Sequence, residues 1–174
     1  LDAGTTNVED VETAFQQIKD AVADDLRQYY QTTCPNDNSE HNADVMYYRW
    51  AKELDCVSCG TTVPLFNDFR AGKARYDSSK YDVFCPSCEQ IIRVEDWQSE
   101  CCCDECGFDF VPKEGYVSGG DYTCYDCGQK YSIVDAVQEQ DGFGLKLFAV
   151  EFYCETCDDD GLSKGEVTGY KTPN

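Results

Sequence analysis

Cys56-Val-Ser-Cys59, Cys85-Pro-Ser-Cys88, Cys103-Asp-Glu-Cys106 and Cys124-Tyr-Asp-Cys127 set four C-x2-C knuckles in one stretch, and a fifth, Cys154-Glu-Thr-Cys157, follows. A C-x2-C turn lets two thiolates converge on one ion while backbone N–H groups of the turn hydrogen-bond the sulfurs. Two such knuckles complete a tetrahedral shell of four thiolates, the closed geometry of structural zinc. Gly60, Gly107 and Gly128 follow the second cysteine of three knuckles. The chain must turn sharply there, and glycine tolerates positive φ. The stretch therefore predicts an array of zinc ribbons.

Composition agrees with a metal-stapled fold. The hydrophobic share of 41% includes 13 cysteines, and without them the apolar set is lean for a chain of this length. Disulfides are the main rival, but they predict a secreted chain and less regular spacing. An odd count of 13 would also leave a thiol over. A redox C-x-x-C belongs beside a βαβ pattern, which the sequence does not show. Rubredoxin-type iron fits the same four thiolates as a minority reading.

The charge is the second large fact. Asp and Glu number 34 against 14 Lys and Arg, a formal net charge of −20, and each zinc held by four thiolates makes it more negative. Such a field repels a phosphate backbone at ordinary ionic strength. The acid is dispersed along the chain rather than gathered into a docking patch. That pattern favours a cytoplasm salty enough to screen it over a single basic partner. No run approaches the ~20 apolar residues of a membrane span. The start at Leu1-Asp-Ala-Gly shows neither a basic region nor an apolar run, so the expectation is a cytoplasmic segment excised from a longer protein.

Along the chain, three regions are expected: residues 1–44, a helix and loop; 45–131, tandem or nested ribbons; and 132–174, a short helix, a long strand, the fifth knuckle and an acidic tail. In residues 7–30, Val8, Val11, Phe15, Ile18, Val22, Leu26 and Tyr29 recur at spacings of three and four, predicting an amphipathic helix. Thr6 and Glu9 fit a capping box, and Asp20, Asp24 and Asp25 lie off the stripe. Cys34-Pro35 stops the helix, residues 36–42 read as a loop, and His41 reads as an ordinary loop histidine.

Further strands are expected at 45–54, 61–66 (an edge, because of Pro64), 81–84, 89–94 and 108–111. Asp96–Glu100 reads as a turn, 115–120 as a hairpin turn, and 132–139 as a helix capped by Ser132. Leu145–Tyr153 is expected to be the longest strand, apolar on both faces and central, and 158–174 to be loop-like. The overall class is α+β: small antiparallel β-hairpins organised as zinc ribbons, with an N-terminal amphipathic helix.

The candidate metal ligands are Cys56, Cys59, Cys85, Cys88, Cys103, Cys106, Cys124 and Cys127, with Cys154 and Cys157 as a further pair. Spacing leaves their pairing open. A sequential solution joins 56/59 to 85/88 and 103/106 to 124/127. A nested one joins 85/88 to 103/106 inside an outer site of 56/59 with 124/127. Cys154 and Cys157 lack partners unless Cys34, Cys101, Cys102 or His41 completes a third site; otherwise they are disulfide-bonded or free. Two zinc sites are expected, or three with that completion. Arg70, Lys73, Arg75 and Lys80 form the one basic, aromatic-flanked patch. It reads either as a nucleic-acid contact or as a solvated loop balancing nearby acids.

The order of motifs resembles a known family. Leu-Arg-Gln-Tyr-Tyr ends the first helix, and Met-Tyr-Tyr-Arg-Trp-Ala precedes Cys-Val-Ser-Cys-Gly-Thr-Thr-Val-Pro-Leu. Val-Ser-Gly-Gly-Asp-Tyr-Thr-Cys-Tyr-Asp-Cys-Gly, a Leu-Phe-Ala-Val strand and Gly-Tyr-Lys-Thr-Pro follow. This is similar to the middle portion of adenine-specific DNA methylases that contain a zinc ribbon, and the acidic composition suits a haloarchaeal member. The resemblance runs from about Val8 to Pro173. It implies the nested pairing, with the segment from Cys85 to about Phe110 as an inserted second ribbon. DNA, through the parent methylase, and the remaining methylase domains are the implied partners.

S-adenosylmethionine is implied only for the parent enzyme. Adenine methylation needs a glycine-rich cofactor loop and an Asp/Asn-Pro-Pro-Tyr/Phe motif that holds the flipped base. The chain has no Pro-Pro, and Asp141-Gly-Phe-Gly144 is too short for the loop. The expectation is a region that positions DNA or braces the catalytic domain without activity of its own. The rivals are a free-standing zinc-ribbon interaction module of a transcription or processing complex, and a redox or metal-buffer protein using the spare thiols.

Overall fold

Asn42–Asp55 forms one strand of 14 residues (β2), and β1, β3 and β12 all pair with it. The computed structural model describes residues 7–36 and 41–173. The chain divides into two units, 1–31 and 32–174.

The first unit is the predicted helix. α1 spans Val8–Arg27, and a 3-10 turn covers Gln28–Tyr30. Asn7 is its N-cap, its side-chain oxygen accepting from the Glu9 N–H at 3.2 Å; the expected Thr6 cap lies outside the described residues. Glu9 and Asp10 sit in the first turn and Arg27 in the last, as the helix dipole favours.

In the second unit the main sheet runs β1 (Gln31–Thr33), β2, β12 (Gly144–Tyr153), β13 (Thr168–Lys171), with β3 (Thr62–Pro64) also on β2. β2 and β12 pair antiparallel from Asp44↔Tyr153 to Glu53↔Gly144, with register shifts between Leu147 and Ala149 and between Glu151 and Phe152. β12 is interior, as expected, and Phe148–Phe152 is buried without a break. A strand covered on both faces reads this way. It is not the longest strand, however: at 10 residues it is shorter than β2. The segment from 158 is not loop-like either. It forms α4 (Lys164–Val167) and β13, whose Thr168 is buried. Acidic and glycine-rich composition concealed it because only a few of its side chains face inward.

Three small antiparallel sheets surround this spine. β4 (Arg70–Lys73), β5 (Tyr81–Phe84) and β6 (Ile91–Val94) form one; β7 (Cys101–Cys102) and β8 (Asp109–Phe110) a second. β9 (Val117–Ser118), β10 (Asp121–Thr123) and β11 (Lys130–Ser132) form the third. Between β9 and β10, Gly119 and Gly120 both take positive φ (63° and 93°). A two-residue hairpin loop demands this, and only glycine supplies it cheaply. α2 (Ile133–Gln140) follows β11, with Ser132 as its cap. Gln140 then clasps the end of β2 through two hydrogen bonds of 2.8 Å to the Asp55 backbone.

Buried charge ties the pieces together. Arg93 on β6 grips the buried Asp82 on β5 at 2.7 and 3.2 Å, and the Tyr170 N–H on β13 donates to the same carboxylate. On β12, the buried Glu151 accepts from the Tyr170 hydroxyl and pairs with Arg75.

Candidate metal centres

The buried apolar residues fall into three clusters, and each contains cysteines of a different group. Cys85 and Cys103 lie among Phe66, Phe69, Phe84 and Phe148. Cys56 and Cys124 lie with Leu54, Val63 and Tyr122. Cys34, Cys154 and Cys157 lie with Ala43, Phe152 and Val167. Small cores of this size seldom hold a fold unaided.

Cys56, Cys59, Cys124 and Cys127 converge in one group, Cys85, Cys88, Cys103 and Cys106 in a second, and Cys34, His41, Cys154 and Cys157 in a third. Within each, all four donor atoms lie within 4.8 Å of one another. The knuckles are thus nested, not sequential. Sulfur separations of 3.5 Å (Cys56–Cys127), 3.7 Å (Cys59–Cys124), 3.8 Å (Cys85–Cys106) and 3.7 Å (Cys88–Cys103) cross the two four-cysteine groups. A tetrahedral ion with Zn–S bonds of about 2.3 Å holds its sulfurs about 3.8 Å apart. A disulfide needs about 2.05 Å, and all 13 cysteines are free. The donor sets can therefore hold metal ions, and their chemistry suits zinc.

The four knuckles of the two four-cysteine groups share one backbone solution. In each, the residue after the second cysteine donates its N–H to the carbonyl of the first: Gly60 to Cys56, Glu89 to Cys85, Gly107 to Cys103, and Gly128 to Cys124, at 2.8–2.9 Å. That residue adopts positive φ every time, from 62° at Glu89 to 75° at Gly60. The fifth knuckle is different. Cys154 is the N-cap of a short helix, α3 (Glu155–Asp159), and its sulfur accepts from the Cys157 N–H. Here the helix turn, rather than a tight loop, brings the two sulfurs together.

His41 joins this third group, which corrects its reading as an ordinary loop histidine. The Cys34 N–H donates to the His41 carbonyl across the β1–β2 connection at 3.1 Å, setting both side chains over the fifth knuckle. His41 Nε2 lies 3.0 Å from the Cys154 sulfur and 3.3 Å from the Cys157 sulfur. Cys101 and Cys102 stand outside all three groups, on β7. The signal for Cys34 and His41 was the pairing of β1 with β2, hidden because β1 has only three residues.

Electrostatics divide the thiols. The hydroxyl and backbone N–H of Thr61 bring Cys59 down to about 7, and the Phe108 N–H does the same for Cys106. Burial pushes Cys85 and Cys154 up to about 12. A dication bound beside Cys85 or Cys154 would favour the ionised form of that sulfur.

The basic patch is arranged otherwise. Arg70 makes a two-pronged bond to Asp68 at 2.9 Å and stacks 3.6 Å over the Trp97 ring. Arg75 pairs with Glu151 and Lys80 with Asp77. Among the described residues, Lys73 alone of the four has no acidic partner. Much of this patch is a strand, β4, rather than a loop.

Set against protein-family models, curated proteins and solved structures, the chain finds no match. No helix among the described residues is long and apolar enough to cross a membrane.

Proposed function

We propose that this chain is a non-catalytic scaffold held by three structural zinc ions: two nested zinc ribbons and a Cys3His site that locks the far end of the central sheet. The observation that carries this reading is the convergence of three tetrads, each seated in its own apolar cluster. β2 starts one residue after His41 and ends one residue before Cys56. At about 3.3 Å per residue the strand sets these two sites roughly 45 Å apart, as a strut braced at both ends.

The sequence resemblance supports a place for this strut in a DNA N6-adenine methyltransferase, bracing the catalytic domain. Bracing is preferred to DNA contact because Arg70, Arg75 and Lys80 already face carboxylates, within a chain of net charge −20. Deleting residues 42–171 from the encoding gene, and measuring N6-methyladenine in host DNA by mass spectrometry, tests the assignment. Loss of methylation supports it; unchanged methylation overturns it. Replacing Arg70, Lys73, Arg75 and Lys80 by Ala should leave the parent's DNA affinity unchanged, whereas a drop would restore the patch as a DNA face.

A further inference from the structure

We infer that α1 is a self-association element that pairs antiparallel with α1 of a second copy of this chain. Val11, Phe15, Ile18 and Val22 repeat at alternating steps of four and three, and all are exposed. Ala14 and Ala21 lie beside this seam, so the face is apolar at three positions in seven and wide enough to pack along a second helix. The Asp25 position, where the next seam residue belongs, ends the repeat, and Leu26 takes over one step later.

Charge selects the partner and its direction. In an antiparallel pair, Val11 of one helix meets Val22 of the other, and Phe15 meets Ile18. The flanking position after the first apolar step then sets Glu12 opposite Lys19 of the second copy, twice over by symmetry. On the other flank Ala14 faces Ala21, small enough to let the helices approach closely. Lys19 is the only lysine of the helix; among the described residues of the helix unit, neither it nor Glu12 has an ionic partner. A parallel pair would bring Glu12 and Lys19 together nowhere. A second copy of the same helix supplies the complement that this helix displays.

Sedimentation equilibrium of the full chain, zinc-loaded and in about 50 mM salt so that exposed pairs are little screened, tests this. A dimer is expected at about 100 μM chain, within reach of four apolar layers and two charge pairs. Lys19→Glu should weaken it about tenfold, because two attractive pairs become repulsive. Glu12→Lys combined with Lys19→Glu should restore it, and Phe15→Asp should abolish it. A monomer at every concentration overturns the inference. So does a dimer that survives Phe15→Asp, or one indifferent to Lys19→Glu.

Discussion

His41 Nε2 sits 3.0 Å from the Cys154 sulfur, although 113 positions separate the two residues. That contact pins one end of the sheet: it links the start of β2 to the end of β12, the two longest strands among the described residues. If the three groups each hold zinc, His41→Ala should remove one ion and expose backbone amides in 32–34 and 154–171 to hydrogen exchange, leaving the two four-cysteine groups protected. His41→Cys should keep all three ions, since a thiolate replaces the imidazole in the same shell. Zinc analysis with exchange mass spectrometry reads both.

The three clusters are built on separate donor groups, so their failures should be separable. Cys85→Ser should release one zinc and loosen the cluster of Phe66, Phe69 and Phe84. Cys56→Ser should release a different one and loosen Leu54, Val63 and Tyr122. Local exchange, rather than a single melting curve, distinguishes these outcomes.

Acid should strip the metal. Bound zinc requires deprotonated thiols, so protons compete with it and apparent affinity rises with pH. With Cys59 and Cys106 held near 7 and Cys85 and Cys154 pushed to about 12, Cys85 and Cys154 must shed a proton on loading at neutral pH. A chelator titration between pH 6 and 8 should show zinc held more weakly at the lower end, with protons taken up as metal leaves.

The Asp82–Arg93 pair should matter far more than its surface counterparts. The Asp82 side chain is only 3% exposed and Arg93 36%, so Asp82→Asn leaves a part-buried guanidinium without its charge partner. A loss of about 2 kcal/mol is expected, below the range for a fully buried pair because water reaches Arg93. Asp121→Asn, which breaks the exposed Lys130 pair, should change stability by at most about 0.5 kcal/mol. Denaturant unfolding of zinc-loaded protein compares the two.

Much of this architecture was legible because its cause is local. The knuckles, their glycines, the Ser132 cap and the Gly119-Gly120 turn each announce a backbone conformation within a few residues. What escaped the sequence was long-range. Nothing near His41 distinguishes a ligand from a solvated histidine until β1 and β2 pair, and β13 hides in acidic, glycine-rich sequence because its partner, β12, supplies the apolar side. The nested pairing came from the resemblance, since spacing alone allows two solutions. Glu151 on β12, the partner of Arg75, is remote in the chain and could not be read from the patch, whereas Asp68 and Asp77 lie within three residues of Arg70 and Lys80.

A count of bound metal ions tests the three-site scaffold most directly. Native mass spectrometry of the purified chain, with elemental analysis, should give three zinc ions per chain and 13 reduced cysteines once the metal is removed. Two ions would contradict the Cys3His site at His41. No bound metal, with masses reduced by disulfide formation, would contradict the scaffold as a whole.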